Sequence, residues 1–306
     1  MPAENIAPDI WFPNMGIWFN RVPQHLFTIG NFSIYLYAVM IVIGIIAAYF
    51  LAVWYAKKTG QRAEDYTDLL LLGVIMAFIG LRVYYLIFNW EQFAHLPLWR
   101  ALFDLRGGGL AIYGGIIGAI LAGVIMAVKK KIPFTTLADT CAPSLLLGQV
   151  IGRFGNFFNR EAFGGYTDNI FAMRIRLDQA RMVTEDLLET AAVHAQGVVY
   201  LQVHPTFLYE AGLNFILMIL LILYRPYKRF AGEIILLYFL GYGIIRFFVE
   251  GLRTDQLIFF GTGLPASQIV AVVSVVAAII LLVLGYMGKL KPITQAQTKS
   301  TKKSRK

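Results

Sequence analysis

Gly152-Arg153-Phe154-Gly155-Asn156-Phe157-Phe158-Asn159-Arg160-Glu161-Ala162-Phe163-Gly164-Gly165 closes an apolar segment that starts near Leu137. Two arginines, two asparagines and a glutamate therefore lie at or just beyond the end of a candidate membrane span. Charges are expensive at that depth, so they are usually paired and usually functional. Arg153 and Asn156, three apart, share one helix face. Gly152 and Gly155 remove bulk beside that face, so a partner helix or a ligand can come close. Gly164 and Gly165 are expected to stop the helix.

The rest of the chain fits a membrane setting. Of 306 residues, 58% are hydrophobic and only 15% charged, with a mean hydropathy of +0.63. Such a balance cannot cover a soluble surface. The net charge of +9 does not point to nucleic acid, because the basic residues fall between apolar runs and in the tail, as the positive-inside rule requires. The single cysteine, Cys141, cannot form an intramolecular disulfide, and its small apolar neighbours make it a packed thiol. The first residues, with acids, prolines and tryptophans, do not read as a cleavable signal peptide.

Seven spans are expected, at about Phe32–Tyr55, Asp68–Asn89, Gly108–Val128, Leu137–Phe158, Thr206–Tyr224, Gly232–Leu252 and Pro265–Met287. Basic clusters follow the odd-numbered spans: Lys57, Lys58 and Arg62; Lys129 to Lys131; Arg225, Lys228 and Arg229; then Lys289 and the tail. This predicts the N-terminus outside and the C-terminus in the cytoplasm. The fold class is an all-α polytopic membrane protein with a small extracytoplasmic α+β head. The segments are an interfacial stretch at 1–31, four spans in 32–158, the head at 159–205, three spans in 206–288 and a basic cytoplasmic tail at 289–306. In the head, Phe171, Met173 and Ile175 alternate with Arg174 and Arg176 as in a strand, and a helical run passes through Glu185 and Glu189.

Five features converge on the outer half of the bilayer in this topology: Tyr37 in the first span; the glycine run from Gly107 to Gly118 around Tyr113; the opening stretch; His204-Pro205-Thr206-Phe207-Leu208-Tyr209-Glu210; and Tyr242, Arg246, Glu250 and Arg253. Spacings of four, four and three place the last set on one helix face. Glu161, Glu210 and Glu250 can balance Arg82, Arg153 and Arg246. If one glutamate is shared, a positive site remains for a phosphate, which arginine binds in bidentate fashion. Among the 4 histidines there is no His-x-x-x-His spacing, so no metal is expected.

Gly152, Arg153, Gly155, Asn156, Phe157, Asn159, Glu161 and Gly164 resemble the signature of the bacterial prolipoprotein diacylglyceryl transferase family. The resemblance extends to the span count, the glycine run, His204-Pro205-x-x-Leu208-Tyr209-Glu210 and Gly241-Tyr242-Gly243-x-x-Arg246-x-x-x-Glu250. It implies a transferase of the bacterial cytoplasmic (inner) membrane that needs no cofactor. Its partners would be phosphatidylglycerol, membrane lipids and the lipobox cysteine of a prolipoprotein signal peptide; glycerol 1-phosphate would leave. The enzyme is expected to be a monomer and to bind no nucleic acid. Arg153 and Arg246 would contact the lipid phosphate, and Tyr37, Asn156, Glu161, Gly164 and Glu250 would belong to the site. Asn159, Arg82, Tyr242 and Glu210 are further binding candidates. Some relatives carry His where this chain has Tyr113; tyrosine, with a reference pKa of about 10, is a poor base at neutral pH. Tyr113 then binds or orients, or the proton goes to Glu161, Glu210 or His204. The alternatives are another phospholipid-dependent transferase, or a non-enzymatic lipid-binding or transport protein.

Overall fold

The apolar runs become helices and the alternating segments become strands. The computed structural model describes residues 7–30, 32–94, 96–103, 109–259 and 261–290. Gly107, Gly108 and the basic tail from 291 onward lie outside the described residues. The strands are β1 (Ile10–Phe12), β2 (Ile17–Phe19), β3 (His25–Ile29), β4 (Phe32–Tyr35), β5 (Met173–Arg176), β6 (Ala192–Ala195) and β7 (Val198–Val203). The long helices are α1 (Leu36–Lys58), α2 (Ala63–Phe88), α5 (Ile112–Lys130), α6 (Phe134–Asn159), α8 (Thr206–Tyr224), α9 (Glu233–Leu252) and α10 (Ala266–Tyr286). Between them lie the short α3 (Trp90–Phe93), α4 (Leu98–Phe103) and α7 (Glu185–Ala191).

Among the described residues, six helices are long and apolar enough to cross a membrane, and α6 is not one of them. It has the length, 26 residues, but polar side chains interrupt its surface. Asp139, Thr140, Ser144 and Asn156 are buried in protein, so among the described residues six helices, rather than the expected seven, have the length and apolar composition of a span. The first span starts later than expected, because Phe32–Tyr35 forms β4 and pairs with β3 as an antiparallel hairpin.

The chain divides into two compact units, one made of residues up to Ala48 and from Ala142 onward, the other built on Tyr49–Cys141. In the first unit, five antiparallel strands run in the order β2-β1-β5-β7-β6. Met173 and Ile175 of β5 are buried while Arg174 and Arg176 are half-buried, the strand alternation expected. The N-terminal segment was expected to lie at the lipid interface apart from the head. Instead β1 pairs with β5, Ile10 opposite Ile175 and Trp11 opposite Arg174. Three-residue strands interrupted by a turn are too short to announce themselves by period. The head core unites Ile10, Phe12, Val22, Met173, Ile175, Leu187, Leu201 and Val203 with Phe163 and with Phe207 of the first turn of α8. This core fixes the head ends of α6 and α8, where the charged residues sit.

In the second unit, α2 and α5 cross backbone to backbone. A Cβ on Gly114 would collide with the Gly80 carbonyl and with Tyr84, and one on Gly118 with the Met76 carbonyl. Close approach of this kind is how helices associate where lipid removes the hydrophobic drive. Ala52, Ala56, Tyr66, Met126, Ala127 and Leu137 pack at the other end, with half-buried Cys141 against them. Lys130 there bridges Asp68 at 2.6 Å and Asp65 at 3.3 Å.

Gly114→Val should lower the melting temperature of the detergent-solubilised protein, at an overpacking cost of about 1–3 kcal/mol. Gly73→Ala, where a Cβ meets nothing within 4 Å, should leave melting unchanged or raise it slightly.

Candidate active site

The helix that carries Arg153 and Asn156 ends at Asn159, five residues before the glycines expected to stop it. Arg160 takes the left-handed conformation, φ 53°. Its N–H donates to the Phe157 carbonyl and that of Glu161 to the Asn156 carbonyl, both at 3.2 Å. This is the Schellman arrangement, with arginine where glycine is usual. The strain is offset by the Arg160 side chain, which donates to the Val22 carbonyl at 2.5 Å and reaches Asp9 at 3.4 Å. Arg160 therefore anchors the head and is not part of the cluster formed by its neighbours. It also lines a recess of about 540 Å³ on the head with Asp9, Val22, Gln24, Asp178 and Arg181.

Gly164 serves a different purpose. Its N–H donates to the His204 carbonyl at 2.9 Å, and the Gly165 N–H to the Leu252 carbonyl at 3.2 Å. A Cβ on Gly164 would stand 2.5 Å from the Leu252 carbonyl oxygen and 3.0 Å from the His204 Cβ. The exit of α6, the entry of α8 and the exit of α9 thus meet where there is no room for a side chain.

At this meeting point one carboxylate joins two guanidinium groups. Glu210 of α8, 1% exposed, accepts from Arg153 Nη2 of α6 at 2.6 Å and from Arg246 Nη1 of α9 at 3.1 Å. Tyr242 Oη donates to the same Oε1 that Arg153 holds, at 3.4 Å. Glu250 pairs with Arg246 at 2.6 Å, the four-residue spacing read from the sequence. Ser267 of α10 accepts from Arg246 Nη2 at 3.3 Å. Asn156 accepts from Arg153 at 3.4 Å and donates to Glu161 at 3.1 Å, and Asn159 donates to the same Glu161 oxygen at 3.2 Å. Tyr37 packs against Gly155, where a Cβ would lie 2.8 Å from its ring, within electrostatic reach of Glu161 and Arg153.

Arg153, Asn156, Asn159, Glu161, Glu210, Tyr242, Arg246 and Glu250 are therefore brought together. Glu210 is shared by both arginines, and with Glu161 and Glu250 the cluster holds three glutamates against two arginines, so no positive charge is left over. What remains is hydrogen-bonding capacity rather than surplus charge. Each guanidinium has five N–H donors, and these contacts use only part of that set.

Other expectations resolve differently. Arg253 does not continue the Tyr242-Arg246-Glu250 face: it lies just past the end of α9 and clasps Asp255 through two bonds of 2.8 and 2.7 Å. Burial raises the Asp255 pKa, but the guanidinium outweighs it and holds the carboxyl below its ordinary range. His204 meets Tyr209 Oη at 3.3 Å, and burial lowers its pKa, so its neutral form prevails at neutral pH. Arg82 and Tyr113 belong to the second unit. There Arg82 donates to the carbonyls of Ala101 and Gly109, and Tyr113 stands beside Tyr84, ring centres 6.4 Å apart. The sequence reading missed Ser267, Asp255, Gln149, Asn214 and Tyr238. The last three were legible only as residues one helical turn from Arg153, Glu210 and Tyr242.

A helical membrane protein with a cluster of paired arginines and glutamates beside a small sheet is the class defined so far. The prolipoprotein diacylglyceryl transferase family matches residues 24–284. Proteins of Bacillus cereus (strain G9842) and Bacillus anthracis (strain A0248), each named phosphatidylglycerol--prolipoprotein diacylglyceryl transferase, are 40% identical over 230 residues, 75% of this chain and 80% of theirs. This chain belongs to the prolipoprotein diacylglyceryl transferase family, and it is a multi-pass membrane protein.

The Asp255 clasp yields a pH test. A carboxyl with a lowered folded pKa contributes stability that is complete above its unfolded value, about 3.9, and is lost as pH falls through the folded value. Asp255→Asn should lower the melting temperature at pH 7 and flatten the loss of stability below about pH 4. An unchanged acid limb would contradict the assignment.

Proposed function

We propose that the chain transfers the diacylglyceryl group of phosphatidylglycerol to the lipobox cysteine thiol of prolipoproteins, the first step of bacterial lipoprotein maturation, on the outer side of the cytoplasmic membrane. Membership of the family and the names of the relatives support the reaction. The observation that supports these residues as its site is the pair of guanidinium groups from α6 and α9 on the Glu210 carboxylate.

The chemistry is a displacement at carbon. The thiolate attacks the glyceryl carbon bonded to the phosphate oxygen. A C–S bond forms, the C–O bond breaks, and the phosphate leaves as glycerol 1-phosphate. Negative charge grows on that leaving group. Arg153 and Arg246 offer it preorganised N–H donors in a water-poor site, where such groups act most strongly. The cysteine thiol, with a reference pKa of about 8.5, must lose its proton. Of the three candidate acceptors, Glu210 is already engaged by two arginines and a tyrosine. His204 is neutral but engaged with Tyr209. Glu161 receives only amide donors and, among the described residues, forms no ion pair; it is the acceptor in this reading.

Transfer from phosphatidylglycerol to a lipobox peptide, followed by a thiol label, tests the assignment. Arg153→Ala and Arg246→Ala should each cost at least about 10²–10³ in kcat while the protein still inserts in the membrane. Arg153→Lys should recover little, because it keeps the charge but not the fork. Wild-type rates in both alanine variants would refute the roles given to the arginines.

A further inference from the structure

Three helices enter the site, and each contributes a second polar residue one turn further from the head. On α6, Gln149 precedes Arg153 by four residues. On α8, Asn214 follows Glu210 by four. On α9, Tyr238 precedes Tyr242 by four. Because α8 runs opposite in direction to α6 and α9 with respect to the head, all three steps lead the same way along the helices.

These residues bond to one another. Gln149 Nε2 donates to Tyr238 Oη at 2.9 Å, and Gln149 Oε1 accepts from Asn214 Nδ2 at 3.4 Å. Asn214 is fully buried, and Tyr238 is only 7% exposed. The layer is linked to the site by its rings: Tyr238 and Tyr242 stack with centres 5.6 Å apart and planes within 8°. Tyr242 in turn donates to the Glu210 oxygen that holds Arg153.

We infer that Gln149 is a positioning residue for the transfer reaction, acting through the Tyr238–Tyr242 stack on the Glu210 carboxylate and hence on both arginines. The inference rests on the proposed function and adds to it a neutral inner layer that touches no reacting atom. A carboxylate held only by two flexible guanidinium groups can rock about its terminal bond. The Tyr242 hydroxyl fixes one oxygen, but a phenol swings unless its ring is held. Tyr238 holds that ring face on, and Gln149 holds Tyr238 by its hydroxyl. Asn214 fixes the Gln149 amide, so that the donor and not the acceptor end faces the phenol. Asn214 Oδ1 has no partner among the described residues, but the two hydrogen bonds on the Gln149 amide hold it in one orientation. Small errors in the direction of a preorganised donor are costly to a reaction that depends on it.

The test is a double-mutant cycle on transfer rates, with melting temperature measured in parallel. Gln149→Leu removes the anchor, and Tyr242→Phe removes the hydroxyl on Glu210 while keeping the stack. Each alone should lower kcat by about tenfold and leave KM for phosphatidylglycerol within about twofold. If Gln149 acts only through Tyr242, the double variant should lose no more than Tyr242→Phe alone. Tyr238→Phe, which keeps the ring but not the hydroxyl, should reproduce Gln149→Leu. Independent losses that multiply to about a hundredfold would overturn the inference, as would unchanged kcat in Gln149→Leu. So would a fall in kcat that merely tracks a fall in melting temperature. Absence of transfer in the unsubstituted protein would instead count against the proposed function.

Discussion

A carboxylate shut away from water between two arginines constrains everything around it. Glu210 draws its charge partners from two other helices, and each member of the trio has given up hydration that the others must replace. Removing one partner leaves an uncompensated charge, which in a buried pair typically costs about 3–5 kcal/mol. The helices α6, α8 and α9 are therefore tied at one depth, whatever else their apolar surfaces allow. Glu250 and Ser267 extend the tie to α10 through Arg246. Among the described residues, the bonds of Arg153 and Arg246 leave each guanidinium with N–H donors that they do not use. In a medium of low dielectric this is a strong lure for phosphate oxygens.

Much of this could be read from residue order. The long helices follow the apolar runs to within a few residues, because twenty apolar residues have no alternative in lipid. Arg246 and Glu250 pair as their spacing of four requires. The failures have physical reasons. The end of α6 was assigned to Gly164 and Gly165 because glycine is the usual left-handed residue, yet Arg160 occupies that conformation under the hold of Asp9 and Val22. Those partners are more than a hundred positions away in the chain, so no local pattern could announce them. Arg253 was placed on a helix face by its spacing from Glu250 alone; one residue past the end of the helix, the side chain turns to Asp255 instead. The glycines were judged by conformation, whereas Gly164 is needed for space.

The head is more than a cap on the helices. Its core includes Phe207, three residues before Glu210, and Phe163, two residues after Glu161. Packing in the sheet therefore sets the positions from which both acids enter the site. Arg160 adds a second link: the turn that points Asn159 and Glu161 one way sends Arg160 the other way, into the N-terminal segment. The site and the sheet share a turn of chain, so a change in one is felt in the other without any moving part between them.

The strand order has a consequence for biosynthesis. β1 can pair with β2 at once, but its other edge finds a partner only when β5 exists, and the Tyr200 hydroxyl closes on the Pro8 carbonyl across 192 positions. During translation the β1–β2 hairpin must wait for β5 while the first four long helices are made. At that stage Ile10 and Phe12, buried in the finished head, have only their own hairpin to cover them. Their core closes only when β5 and β7 emerge.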